Sequence, residues 1–344
     1  MGMIFSQAFA MANSLSDGNA EVWNNSPSVV GTSFWKLRTP MRRALHVGTH
    51  CSGLCAETLA LEHMDIPHKS LFACDSSEAV QTLLQCSFDI GMFFHDILHA
   101  SAVEMAPHVD LYVNGFPCPP CSRMGNNLGP RDPRSQVVYP MLQYLESKLP
   151  TCFVLENVAS ITNSRHADYC MSIIDALEAL QDPVTQEPAY TVFMGLCDSM
   201  DMGLPQSRKR FFVVGALNRC YGNAHGNPEF FWPALLPPAN IVDFLDKDAN
   251  GELVKGNGGN DDPSLLSQVS LRNLIHMQQD FDAIAMSPAD FHVIVDICAS
   301  PTRQHYTVGH CPTITKARGE EFGFYITSLN RTDNMKPIMK LIYL

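Results

Sequence analysis

No run of about 18 consecutive apolar residues occurs in the chain, so no segment reads as a membrane-spanning helix. Basic charge is also short: 23 Lys and Arg stand against 35 Asp and Glu, a formal net charge of −12. This balance excludes a protein that coats nucleic acid through charge alone, because phosphate affinity comes from clustered Lys and Arg. The first residues, "MGMIFSQAFAMANS", lack the basic flank and cleavage pattern of a secretory signal. No internal repeat is visible. The expectation is a soluble protein without a membrane partner, cytoplasmic, or nuclear if the source is eukaryotic.

Cysteine, by contrast, is plentiful. Twelve are scattered through 344 residues, which favours reduced thiols over the disulfide framework of a short secreted chain. Apolar residues make up 46%, ample for a packed core, and the length suits one large domain with a smaller companion.

Residues 1–42 are irregular and rich in Ser, Asn and Gly, and are expected to form an extension. Order begins at "RRALHVGTHCSGLCAETLALEHM", a short apolar strand, a Gly-containing turn and a helical pattern through Leu54, Thr58, Leu61 and Met64. The unit recurs. "HKSLFACD" is a strand followed by the helical "SSEAVQTLLQCSF", and "VDLYVNGFP" a strand followed by "VVYPMLQYLESKL". "TCFVLENV" is a strand followed by "HADYCMSIIDALEAL", and "AYTVFMGLCD" and "RKRFFVVGAL" close the series. Such alternation predicts an α/β fold, a Rossmann-like, doubly wound and mostly parallel sheet over 43–217. Beyond it the chain turns rich in Pro, Gly, Asn and Asp, which predicts a smaller irregular domain over 218–318.

Open α/β sheets bind ligands at the carboxyl ends of their strands. The residues leaving the predicted strands are Ser52 and Gly53, Asp75, Asp96 in "FFHDIL", Cys118, and Glu156 with Asn157. Singly, each has a plain reading: Gly53 a turn, Asp75 a helix cap, Asp96 a solvated loop acid. Glu156 is harder to dismiss, since a carboxylate within the apolar "FVLENV" is costly to bury without a partner. Together they would suit a nucleotide-like cofactor beside a thiol and a carboxylate.

The stretch "NGFPCPPCS" holds Cys118 and Cys121. A zinc site needs a second ligand pair, which the remaining Cys and His do not supply at suitable spacing. A thiol–disulfide couple would leave Glu156 and "QSRKR" unexplained.

"GFPCPPCS", "DPRSQVVYPMLQYLESKLPTCFVLENV" and "YTVFMGLCDSMDMGLPQSRKRFFVVG" resemble consecutive motifs of the cytosine-5 DNA methyltransferases, and "CPTITKARG" at 311–319 resembles a later one. The resemblance implies a class I methyltransferase fold, S-adenosylmethionine as cofactor, and duplex DNA with a flipped cytosine as partner, acted on by a monomer. It makes Cys118 the nucleophile, Glu156 the group that holds or protonates ring nitrogen 3, and Arg208 the base-contacting arginine. Ser52, Gly53, Asp75, Asp96 and Pro117 fall in cofactor-binding motifs. Asn157, Gln206, Arg210, Arg303, Lys316 and Arg318 fall among nucleic-acid contacts, with Asn157 orienting its loop. Cys55 and Ala56 stand where the family often has glycine. No Gly-Asn pair follows residue 319, so 319–344 is expected to be a truncated or diverged version of the family's final segment.

Residues 220–302 hold eleven Asp or Glu against three Lys or Arg, whereas 202–228 hold four basic residues and no acid. DNA contact is therefore expected along the catalytic motifs and 303–318, with few bases read by the acidic stretch. Two other readings stay open: an RNA (tRNA) cytosine-5 methyltransferase, and an inactive nucleic-acid-binding relative. If the two cysteines act separately, Cys121→Ser leaves methyl transfer intact and Cys118→Ser abolishes it. Equal loss in both would restore the paired-cysteine reading.

Overall fold

The computed structural model describes residues 43–117, 133–220, 230–244, short stretches between 268 and 311, and 324–327. The expected extension 1–42 and most of the acidic stretch lie outside the described residues. Two compact units emerge: Met1–Cys197 with Arg210–Pro233, and Asp198–Lys209 with Ala234–Leu344. The segment 198–209 thus groups with the second unit, while 210–233 groups with the first.

The first unit is built on a seven-stranded sheet. Its strands are β1 (Leu45–His50), β2 (His68–Cys74), β3 (Ile90–Phe94), β4 (Leu111–Asn114), β5 (Cys152–Val158), β6 (Tyr190–Asp198) and β7 (Lys209–Leu217), in the order β3-β2-β1-β4-β5-β7-β6. Pairings among β1 to β5 are parallel, and β7 runs antiparallel to β5. The helices between them are α1 (Ala56–His63), α2 (Glu78–Ser87), the single turn α3 (Ser101–Glu104), α4 (Val138–Lys148) and α5 (Ala167–Glu178). This is the predicted α/β architecture, and strand order reverses between β1 and β4.

Period-2 alternation in the central strands explains the two cores. Tyr112, Phe153, Leu155, Phe211 and Val213 face one layer, filled by Val103 of α3, Met141, Tyr144 and Leu145 of α4, and Ile173, Ile174 and Leu177 of α5. Leu111, Val113, Cys152, Val154, Phe212 and Val214 face the other, against Leu61 of α1, with Phe230 and Trp232 packed at its margin. Each fully buried large side chain contributes about 1.5–3 kcal/mol of transfer free energy. Gly48 lets the layers close: a Cβ there would lie 2.1 Å from the Phe72 ring. Pro140 is tolerated in α4 because it lies in the first turn, where backbone N–H groups lack helical acceptors anyway.

One polar chain crosses the first core. Burial pushes His50 down to about 4, so its ring is neutral. Nε2–H donates to the Ala102 carbonyl at 2.9 Å, which leaves Nδ1 to accept from the Tyr112 hydroxyl at 2.9 Å. The Tyr112 oxygen in turn accepts from Asn114 Nδ2 at 2.8 Å.

At the opposite end of the sheet, Arg43 donates to both oxygens of Asp110, each at 2.6 Å, and the His46 N–H donates to Oδ2 at 2.8 Å. Burial alone would raise the Asp110 carboxyl; Arg43 and the His46 N–H outweigh it and hold the group below its ordinary value. A depressed carboxyl contributes stability above the usual carboxylate range and loses it as pH falls through the folded value. Because Arg43 is 58% exposed, the contribution is screened to about 1 kcal/mol. Asp110→Asn is therefore expected to lower the melting temperature at pH 7 and to converge on the wild type in acid, as followed by circular dichroism. A deficit independent of pH would contradict the ion pair.

The described strands of the second unit, β8 (Val293–Asp296), β9 (Tyr306–Val308) and β10 (Phe324–Thr327), form an antiparallel sheet in the order β10-β8-β9.

Candidate active site

The chain leaves β1 through three left-handed residues, Cys51 (φ 53°), Gly53 (φ 53°) and Cys55 (φ 49°). Only glycine adopts this conformation freely; at the two cysteines it costs about 1–3 kcal/mol each. Cys55 thus takes a backbone conformation suited to the glycine common at this place in the resembled family. Its side chain is 2% exposed and packs with Ala73 and Leu84.

Ser52 is buried and ties β1 to β2. Its N–H donates to the Cys74 carbonyl at 3.0 Å, and its Oγ accepts from the Cys74 N–H at 2.8 Å while lying 3.0 Å from the Cys74 carbonyl. Ser52 therefore shapes the loop with both its polar groups turned inward. At Gly53 a Cβ would meet nothing within 4 Å, so the backbone faces open space.

Asp75 is held by the same turn. The Gly53 N–H donates to Oδ2 and the Ser77 N–H to Oδ1, both at 2.9 Å. Asp75 is not the cap of α2, whose N-cap is Ser77; one oxygen closes the turn that precedes the helix, and the other meets the β1 loop. Asp96 accepts the Leu98 N–H at 2.9 Å. Burial, then Cys74, Asp75 and Asp96, push the Cys51 thiol far up, so these groups converge at the ends of β1 to β3. Burial and the same acids push Cys74 up to about 12. Both sulfurs stay protonated and weakly nucleophilic at neutral pH.

β4 ends beside this loop. A Cβ on Gly115 would lie 3.6 Å from both the Cys51 carbonyl and Glu156 Oε2, which brings the β1 loop and the β5 carboxylate to the same residue. Asn157, 2% exposed, turns inward and donates to the Phe116 carbonyl at 3.2 Å, while its Oδ1 accepts the Val158 N–H at 2.8 Å. It orients the backbone leading to Pro117, the last described residue before Cys118. Cys118 itself lies outside the described residues, as do Arg303, Lys316 and Arg318.

Glu156 pairs with Arg210, Nε to Oε1, at 2.6 Å, both side chains largely shielded at 23% and 16% exposure. The antiparallel register aligns Glu156 with Phe212 and Val158 with Arg210, so Arg210 is the diagonal neighbour of Glu156 on one face. In the second unit, Arg208 is exposed, and its backbone N–H donates to Asp198 Oδ1 at 2.8 Å. Gln206 bridges in parallel to Cys311, through Ser207 N–H to the Cys311 carbonyl and Cys311 N–H to the Pro205 carbonyl.

Glu57, in the first turn of α1, escaped sequence reasoning. It is 3% exposed, and its Oε1 finds no hydrogen-bond partner among the described residues. Burial pushes its carboxyl up from 4.5 to about 7, against opposing polar contacts with its own N–H, Cys55 and Thr49. The only signal was an acid following a small-residue loop, which reads equally as a favourable helix N-terminus.

The model of the C-5 cytosine-specific DNA methylase family matches residues 50–274. The type II methyltransferase M.HaeII of Haemophilus aegyptius is 31% identical over 153 residues, 44% of this chain and 45% of that protein. M.HgiCII of Herpetosiphon aurantiacus is 27% identical over 239 residues, 65% of this chain and 49% of that protein. The chain spans about half the length, or less, of the curated relatives it matches. A crystal structure of the S. pombe Dnmt2 methyltransferase aligns at TM-score 0.41 and 19% identity over 60% of this chain and 61% of that one.

A buried carboxyl with a raised value carries no penalty below 4.5, where folded and unfolded chains are both protonated, and its full penalty above about 7. Glu57→Gln should therefore stabilise the fold at pH 8, by at most about 3 kcal/mol, and be neutral near pH 4. Melting temperatures of both proteins across that range decide it; a constant difference would contradict the burial argument.

Proposed function

Because the chain belongs to the C-5 cytosine-specific DNA methylase family, we propose that it transfers a methyl group to carbon 5 of cytosine in DNA. The observation that carries the reading is the Glu156–Arg210 couple at the carboxyl end of β5, beside Gly115 and the segment running into Pro117 and Cys118. The target atom is inaccessible within a stacked duplex, so the cytosine must be flipped out to reach this edge.

The family's cofactor is S-adenosylmethionine, and the residues present fit it. The open space over Gly53 leaves room for a ligand against the backbone, and the Asp75 carboxylate is already oriented by two N–H groups. Gly53, Asp75, Asp96 and Pro117 would hold it, with Ser52 fixing the loop from behind. When bound, it supplies the electrophilic methyl group.

The protein's own groups prepare the base. Cys118 adds to carbon 6, because a thiolate is reactive near neutral pH and is also a competent leaving group. Glu156 meets ring nitrogen 3 and offsets the charge that develops during addition. Arg210 engages Oε1, and Oε2 faces Gly115. Addition makes carbon 5 enamine-like and able to take the methyl. Loss of the carbon-5 proton then restores the ring and expels the thiol. Asn157 keeps the Phe116 carbonyl, and so the approach to Cys118, in register.

The test is transfer of labelled methyl from S-adenosylmethionine to duplex DNA and to total tRNA. Label on DNA, lost in Cys118→Ser and reduced about 10²–10³-fold in Arg210→Ala, is expected. Label on tRNA alone would overturn the choice of substrate, and label on neither would leave an inactive nucleic-acid-binding relative.

A further inference from the structure

We propose that Asp198 is the positioning residue for the segment that carries Gln206 and Arg208. The inference rests on the reading of this segment as base-contacting. The chain leaves β6 at Asp198 and enters β7 at Lys209, and the intervening residues form no helix or strand. A surface excursion of this length ordinarily moves at its tip and presents its side chains loosely.

Here one carboxylate joins the two ends. Asp198 Oδ1 accepts the Met200 N–H at 3.2 Å and the Arg208 N–H at 2.8 Å, and Oδ2 accepts the Ser207 hydroxyl at 2.8 Å. Its carbonyl accepts the Asp201 N–H at 3.0 Å. The next residue repeats the closure: Ser199 Oγ donates to the Gln206 carbonyl, and the Ser199 carbonyl accepts from Met202 and Leu204. Gly203, at φ 83°, makes the turn.

Asp198 is 9% exposed, so these bonds form largely out of water, where charge-assisted bonds to a carboxylate are strong. Arg208 is an exposed residue whose backbone N–H is fixed. A guanidinium presented this way loses less freedom when it meets a ligand, which is the physical content of preorganisation. The Cys311 bridge holds Pro205 and Ser207 independently, so removing the carboxylate should loosen the segment without unfolding it.

Two variants separate acceptor geometry from bulk stability. Asp198→Ala removes all three acceptor contacts. Asp198→Asn keeps an oxygen for the Arg208 and Met200 N–H groups and can donate to the Ser207 hydroxyl instead. Hydrogen exchange of peptides covering 199–210, followed by mass spectrometry, reads the segment whether or not the protein turns over. Exchange is expected to rise at least about tenfold in Asp198→Ala and to recover in Asp198→Asn. In methyl transfer, Asp198→Ala should lower kcat about a hundredfold with KM for DNA changed less than about threefold. Dissociation of S-adenosylhomocysteine, measured by calorimetry, should stay unchanged. Unaltered exchange in Asp198→Ala, or an Asn variant as impaired as the Ala variant, would overturn the proposal. Absence of transfer by the wild type would instead overturn the functional reading, and the exchange result would still decide the role of Asp198.

Discussion

A parallel strand buried on both faces can present polar groups only where it ends, and this constraint organises the first unit. β1, β4 and β5 carry large apolar side chains into both core layers. Backbone polar groups within them are spent on neighbouring strands. What remains for chemistry is the carboxyl edge, where β1 turns through Cys51 and Gly53, β2 delivers Asp75, β4 runs into Gly115, and β5 delivers Glu156. The interior supports this edge with few polar groups of its own, the His50–Tyr112–Asn114 chain being one whose donors and acceptors are fixed by the Ala102 carbonyl.

The edge is held under local strain and unequal charge. Two cysteines accept left-handed backbone, and the turn they make aims the Gly53 N–H at Asp75. Acids cluster around β1 to β3, and the thiols beside them are kept protonated. At β5 the balance changes: Glu156 is matched by Arg210. In the proposed function, the acids at one end would meet the hydroxyl and amine groups of the cofactor, and the compensated pair at the other would meet the base.

Much of this was legible in the sequence. Six of the seven strands of the first unit fell where apolar runs placed them, Asp75 and Asp96 follow strands as expected, and Glu156 lies two residues before the end of β5. The tyrosine, histidine and asparagine chain was not legible, because isolated polar residues in apolar strands carry no marker of their partners. Glu57 was hidden for a related reason: an acid in the first turn of a helix is ordinary in sequence, and only packing reveals that an oxygen is left without a partner among the described residues. The grouping of 198–209 with the second unit has no local signature, because β6 and β7 on either side of it read as one strand series.

The sequence by itself determined the fold class, the order of the chemistry-bearing residues along the chain and their placement at strand ends. Burial of alternating side chains is a local property, written into each strand. Tertiary structure decided which residues meet. Arg208 and Arg210 are alike in composition and two positions apart, yet β7 runs antiparallel to β5 with Glu156 aligned to Phe212. That register puts Arg210 on the face of Glu156, while Arg208 lies before the strand with its N–H held by Asp198. Strand direction and register arise from contacts between distant segments, and no local pattern encodes them.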